Sequence, residues 1–135
     1  MARTERGASA VEFAIVLPVL FLVIAGIVDF GRYFFTQIQL TNAAREGARA
    51  AVVLPSPAAS DMTAITQRAL AGAAGVPGAA ASVIATCPAP SPSYATVRVT
   101  ATFDWIIMKP AIQMIGGNWG LNGPVVANGV MQCGG

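Results

Sequence analysis

Apolar residues in the first part of the chain do not alternate with polar ones; they run together. From Ala8 to Val28 there are twenty-one residues, and Glu12 is the only charged one. As a helix rising 1.5 Å per residue, this stretch crosses about 30 Å of hydrocarbon, enough to span a bilayer. The helical pattern then continues to Val53, where Pro55 and Pro57 end it. A helix from Ala8 to Val53 is roughly 69 Å long, so about half of it, residues 29–54, extends beyond the membrane. In that outer half Leu40, Ala43, Ala44, Gly47, Ala48 and Ala51 recur at spacings of three and four. They define one apolar face of very small side-chain volume, on which another backbone can approach closely. Packing against the rest of its own domain is the simplest use of such a face. Inside the membrane stretch, Pro18 removes an amide hydrogen bond and crowds the carbonyl of Ala14, so a helix kink or local melting is expected there.

Beyond residue 54 the pattern changes to that of a small head, residues 55–135. The run from Pro55 to Ser60 reads as a loop, and Ser60 or Asp61 as the N-cap of a helix from Met62 to about Ala74, ended by Gly75 to Gly78. Ala81 to Cys87 reads as a strand, and a second Pro and Ser loop follows through Ser93. The clearest strand pairs inward Ala95, Val97, Val99, Ala101 and Phe103 with outward Thr96, Arg98, Thr100 and Thr102, a period of two. Val125 to Cys133 is a third strand. Trp105 to Ile115 is apolar, interrupted by Lys109 and Pro110, and reads as cover for the core rather than an exposed patch. The expected fold class is therefore α+β: a long N-terminal α-helix, transmembrane at its start, then a short helix and a three-stranded antiparallel sheet.

Composition narrows the function. The chain is 55% hydrophobic and only 10% charged, an excess that comes from the span and from alanine, not from a large core. A head of about 80 residues lies near the size at which small folds use a covalent staple. Cys87 and Cys133 are the candidate disulfide; in an extracytoplasmic domain two cysteines read most simply as a bonded pair. A reactive thiol is the other reading, but no activating base stands out. There is no histidine, which removes the commonest general base and metal ligand, and no close acidic pair suggests acid and base roles. No catalytic residue, cofactor or metal site is expected, and a net charge of +2 leaves no nucleic-acid footprint. Arg3 and Arg6 before the span, against Glu5, give a slight positive-inside bias toward a cytoplasmic N-terminus. A secretory signal peptide is the competing reading, but its apolar core is shorter and ends in a small-x-small site that is missing here.

The informative detail is the stretch Gly7 Ala8 Ser9 Ala10 Val11 Glu12 Phe13, a carboxylate where the membrane helix begins. An acid at that depth is costly and reads as functional by default. Here the chain resembles the type IV pilin-like precursors, cut after a glycine with glutamate as the fifth mature residue. Glu12 to Pro18, Asp29 to Arg32, and Asn42 Ala43 Ala44 Arg45 Glu46 Gly47 Ala48 Arg49 then look like the TadE-like pseudopilins of the tight-adherence machinery. The likeness covers Gly7 to about Val53. Phe13 departs from the tyrosine typical of the major pilins of that machinery but keeps the aromatic. A long von Willebrand-type extension, as some relatives with this N-terminal block carry, does not fit in 135 residues, which points to the short pseudopilin type.

The resemblance implies a leader, residues 1–7, removed by prepilin peptidase between Gly7 and Ala8, with Glu12 and Phe13 serving assembly and recognition. Gly7 lets a peptidase approach its carbonyl, and Ala8 and Ser9 are too small to obstruct. The new amine on Ala8, mainly protonated at neutral pH, can pair with Glu12 of a neighbouring subunit, since a buried charge is tolerable only when matched. Arg45, Glu46, Gly47 and Arg49 form a candidate interface, where an acidic partner relieves the like charges of Arg45 and Arg49. The expected partners are prepilin peptidase, other pilin-like subunits, inner-membrane pilus assembly proteins and the lipid bilayer. The expected function is that of a minor subunit in the assembly of a tight-adherence type IV pilus, single-pass in the inner membrane, with its head in the periplasm or at the cell surface. The alternative is a permanently anchored envelope protein whose head binds a ligand or partner; a more remote reading makes the head an adhesin tip.

Overall fold

Fifty consecutive residues, Thr4–Val53, form one helix, α1, in the computed structural model, which describes residues 4–54, 59–87, 93–114, 116–117 and 123–133. At 1.5 Å per residue α1 is about 75 Å long. It starts four residues before the expected Ala8 and is unbroken through Ala14 and Pro18, so the chain is not melted there. The expected terminating prolines, Pro55 and Pro57, lie outside the described residues.

Among the described residues, α1 is followed by α2, Ala59–Gly72; β1, Ala80–Ala85; β2, Ser93–Thr102; α3, Met108–Met114; and β3, Pro124–Cys133. The three strands make an antiparallel sheet of order β1-β2-β3, so the fold class is α+β as the sequence pattern indicates. α2 begins before the expected Met62, which places Ser60 and Asp61 inside its first turn; there Asp61 favours the positive end of the helix dipole. The strands match the predicted alternation to within two residues at each end.

The chain divides into two compact units. Residues Tyr33–Asp104 and Asn122–Gly135 form one; Met1–Arg32 and Trp105–Leu121 form the other. These units cut across the divisions drawn from the sequence at 28/29 and 54/55, because the outer half of α1 belongs with the head and Trp105–Leu121 does not.

In the first of these, two helices lie on one face of the sheet. The small residues of α1 make that layer possible. Leu40, Ala43, Ala44, Ala48 and Ala51 are buried, as are Ile65, Ala69 and Ala73 along α2. β2 supplies Ala95, Val97, Val99 and Ala101 to the same interior, and β3 supplies Val125 and Ala127. A Cβ built on Gly47 would lie 2.8 Å from Ala69 Cβ and 2.9 Å from Val97 Cγ1, so α1, α2 and β2 meet at this glycine. One turn away along α1, Ala43 meets α2 again, where a Cβ on Gly72 would come within 2.9 Å of its Cα. Gly129 of β3 lies so close to the backbone of Ala44 and Arg45 that a Cβ there would overlap it. The alanine stripe thus packs on its own domain. Where α1 enters this unit, Tyr33 meets Phe103 edge-on, with ring centroids 5.5 Å apart.

Cys87 and Cys133 are joined by a disulfide, with Cα atoms 5.5 Å apart. The register explains how they meet. Ala85 pairs with Thr96 and Cys133 with Ser93, so the end of β1 and the end of β3 flank the start of β2. The bond ties the two outer strands across that end of the sheet.

Candidate functional site

The other unit carries the residues singled out for processing and assembly. Between Gly7 and Ile24 every residue of α1 is exposed, including Val11, Phe13, Ile15, Phe21 and Leu22. Its most apolar 18-residue window has a mean hydropathy of 2.8 and is only 6% buried, the reverse of a core helix in a water-soluble protein. Exposed apolar surface of this extent favours a non-aqueous surrounding, which the described residues do not supply.

Gly7 and Ala8 lie near the N-terminal end of α1. The first four amides of a helix have no partner four residues back, and glycine costs a helix about 1 kcal/mol relative to alanine. The bond between Gly7 and Ala8 therefore sits where α1 unwinds most cheaply. A Cβ on Gly7 would meet nothing within 4 Å, so its approach is open on this chain. Ala8 and Glu12 are separated by four positions, one helical turn, and share a face. Glu12 and Phe13 are both exposed, Phe13 by 65%.

The opposite end of the apolar stretch is built differently. Asp29, the residue after Val28, is fully buried. Its Oδ2 accepts hydrogen bonds from the backbone N–H groups of Ile107, at 3.0 Å, and Met108, at 2.8 Å. Met108 opens α3, so a carboxylate on α1 satisfies the otherwise orphaned donors at the start of a helix about 80 residues away in sequence. Its Oδ1 makes no hydrogen bond but faces Arg32 Nη1 at 3.6 Å, an ion pair one turn along α1. Phe30 packs edge-on against Trp105, with ring centroids 5.3 Å apart, beside this contact. Ala25, one turn before Asp29, is also buried.

The sequence placed Asp29 only within the stretch Asp29 to Arg32 that carries the family resemblance and gave no sign of this contact. It also placed Trp105 to Ile115 in the core, which the structure corrects. α3 has no buried residue, and Ile106 is 61% and Met114 89% exposed. Trp105, Met108, Ala111 and Ile112 are half-buried rather than buried, and the contacts that tie the segment to α1 include the two backbone donors to Asp29 and the Phe30–Trp105 ring pair. Ile115 lies outside the described residues.

Of the candidate interface, Arg45, Glu46 and Arg49 are exposed on α1, but Gly47 is buried among α2 and β2 and is not a partner-facing residue. Glu46 and Arg49 instead line an open groove of about 500 Å³ with Arg68 of α2. Two cations against one carboxylate make it mildly basic.

A single exposed apolar helix joined to a small α+β head defines a protein compatible with single-pass anchoring in a membrane. Residues 7–49 match the model of the family described as TadE-like protein, so that segment, about a third of the chain, is similar to that family. The match starts at Gly7, takes in Glu12, Phe13 and Asp29, and ends at Arg49. No curated protein matches the chain, and no solved structure does. Family and helix together support a pilus-related membrane protein.

Proposed function

We propose that the chain is the precursor of a minor, pilin-like subunit that takes part in assembling a tight-adherence type IV pilus. It inserts in the inner membrane with its N-terminus cytoplasmic and its head outside. Prepilin peptidase cuts between Gly7 and Ala8, and the mature helix joins other pilin-like subunits and the inner-membrane assembly proteins. No catalytic role, cofactor or metal is part of this reading. One coincidence carries it: the family match begins at Gly7, immediately before the apolar stretch Ala8–Val28, whose sole charge is Glu12 and whose residues are all exposed as far as Ile24.

In the mature chain the amine on Ala8 lies one turn from Glu12, within reach of its own carboxylate or that of a neighbouring subunit. Packed in a bundle of apolar helices, either charge alone would be expensive, and the pair fixes the depth and register at which helices meet. Pro18, lacking an amide donor, weakens α1 between Glu12 and the outer half, where a helix leaving a bilayer has to adapt. Arg45, Glu46 and Arg49 remain the surface of α1 offered to other subunits.

The test is Glu12→Ala in cells that make the machinery. The variant should insert in the membrane in normal amounts yet lose most recovery of pilus components on affinity purification. Equal recovery of those components with the variant and the unaltered protein would favour a permanent anchor with a binding head.

A further inference from the structure

We propose that the segment Trp105–Met114, pinned by Asp29, lies in the interface of the outer leaflet, as a foot on the lipid surface beside the point where α1 leaves the membrane. This rests on the reading of Ala8–Val28 as a membrane span and deepens it.

The position of the segment follows from one hydrogen-bonded contact. Asp29 is the first residue after the apolar stretch, so its level is the boundary between acyl chains and headgroups. Its buried carboxylate holds the amides of Ile107 and Met108, which brings the start of α3 to that level. Phe30 and Trp105 add a second contact at the same height. The composition then suits the place. Trp105 is the aromatic type enriched at membrane interfaces, where a ring can meet acyl chains and its N–H can meet water. Ile106, Ile107 and Met114 present apolar surface that the described residues leave uncovered. Lys109 is the one charged residue from Trp105 to Gly117 and can reach anionic headgroups. With no buried residue of its own, α3 gains its hydrophobic layer from the lipid surface, which is continuous with the one that surrounds Val28.

A second copy of the chain could also cover these side chains. The lipid surface is favoured because it is already at the height where Asp29 fixes the segment.

The full chain is reconstituted in vesicles of phosphatidylethanolamine and phosphatidylglycerol carrying brominated acyl chains, with Trp119→Phe leaving Trp105 as the sole tryptophan. The foot predicts that Trp105 emission is shifted to the blue and quenched most by bromines placed high in the chain. Asp29→Ala releases α3 and should reverse both effects. A second variant, Phe21→Trp with Trp105→Phe and Trp119→Phe, reports on the span and should be quenched by bromines deep in the chain. If Phe21→Trp is quenched while Trp105 emits as in water, the foot is wrong and the span stands. Protection of Trp105 from both lipid bromines and aqueous acrylamide overturns the foot in favour of a protein partner. Loss of quenching at Phe21→Trp removes the membrane reading itself.

Discussion

The two halves of α1 obey opposite rules. Its first half carries large side chains, Val, Ile, Leu and Phe, and exposes nearly all of them; its second half, Leu40 apart, carries alanine and glycine at the positions it buries in the head. The difference lies in what each half packs against. In the first, nothing among the described residues limits side-chain size. In the second, α2 and two strands come within van der Waals distance of the helix backbone, and any added volume has to displace them. One helix thus combines an apolar half that the described residues leave almost uncovered with a half packed against the helix and strands of a small domain.

Breaking the covalent staple of the head should have the largest effect. Cys87→Ser or Cys133→Ser opens a loop closed over a sequence separation of 46 residues. The chain-entropy account puts the loss at about 4 kcal/mol, close to the whole stability of a small domain. Urea unfolding of the detergent-solubilised chain, followed by near-ultraviolet circular dichroism, should show the head unfolded or nearly so while α1 keeps its helical signal. Next comes Gly129→Ala, whose Cβ meets the backbone of Ala44; neither strand nor helix can yield cheaply, and a loss of about 3 kcal/mol is expected in the same titration. Gly47→Ala meets the side chains of Ala69 and Val97, which can shift by a few tenths of an ångström, so about 2 kcal/mol is expected. At the other extreme, Ile15→Ala removes more volume than any of these substitutions adds but should move the unfolding midpoint of the head by under about 0.5 kcal/mol. An Ile15→Ala loss as large as that of Gly47→Ala would end the contrast between the two halves.

Much of this organisation was legible in the sequence because its signals are periodic. The continuous apolar run set the span, the alternation of Ala95 to Phe103 set β2, and the spacing of Leu40 to Ala51 set the buried face of α1. The disulfide was legible from the number of cysteines and the size of the head. Contacts between distant residues that leave no local pattern were not legible. Trp105 to Ile115 reads as core cover by composition alone, yet the structure buries none of Trp105 to Met114 fully and leaves Ile106, Ile107 and Met114 exposed, since apolarity does not say whether the covering medium is protein. Asp29 stood out only as part of the stretch Asp29 to Arg32; its contact depends on two backbone donors almost 80 positions away. Gly47 sits in a block of charged residues, which suggested a shared surface. Helical geometry separates them: Arg45, Glu46 and Arg49 turn outward, while Gly47 follows Ala43 and Ala44 inward.

For the N-terminal site the decisive residues were legible by type, but their use depends on events outside the chain. Gly7, Ala8 and Glu12 are exposed and contact no distant element that the structure describes. The most direct measurement is therefore the intact mass of the membrane-extracted protein, made in cells with and without an active prepilin peptidase. The account predicts loss of Met1 to Gly7 and a new N-terminus at Ala8 only where the peptidase is active. An uncut chain beside an active peptidase would contradict it and leave a single-pass anchor with a small outer domain.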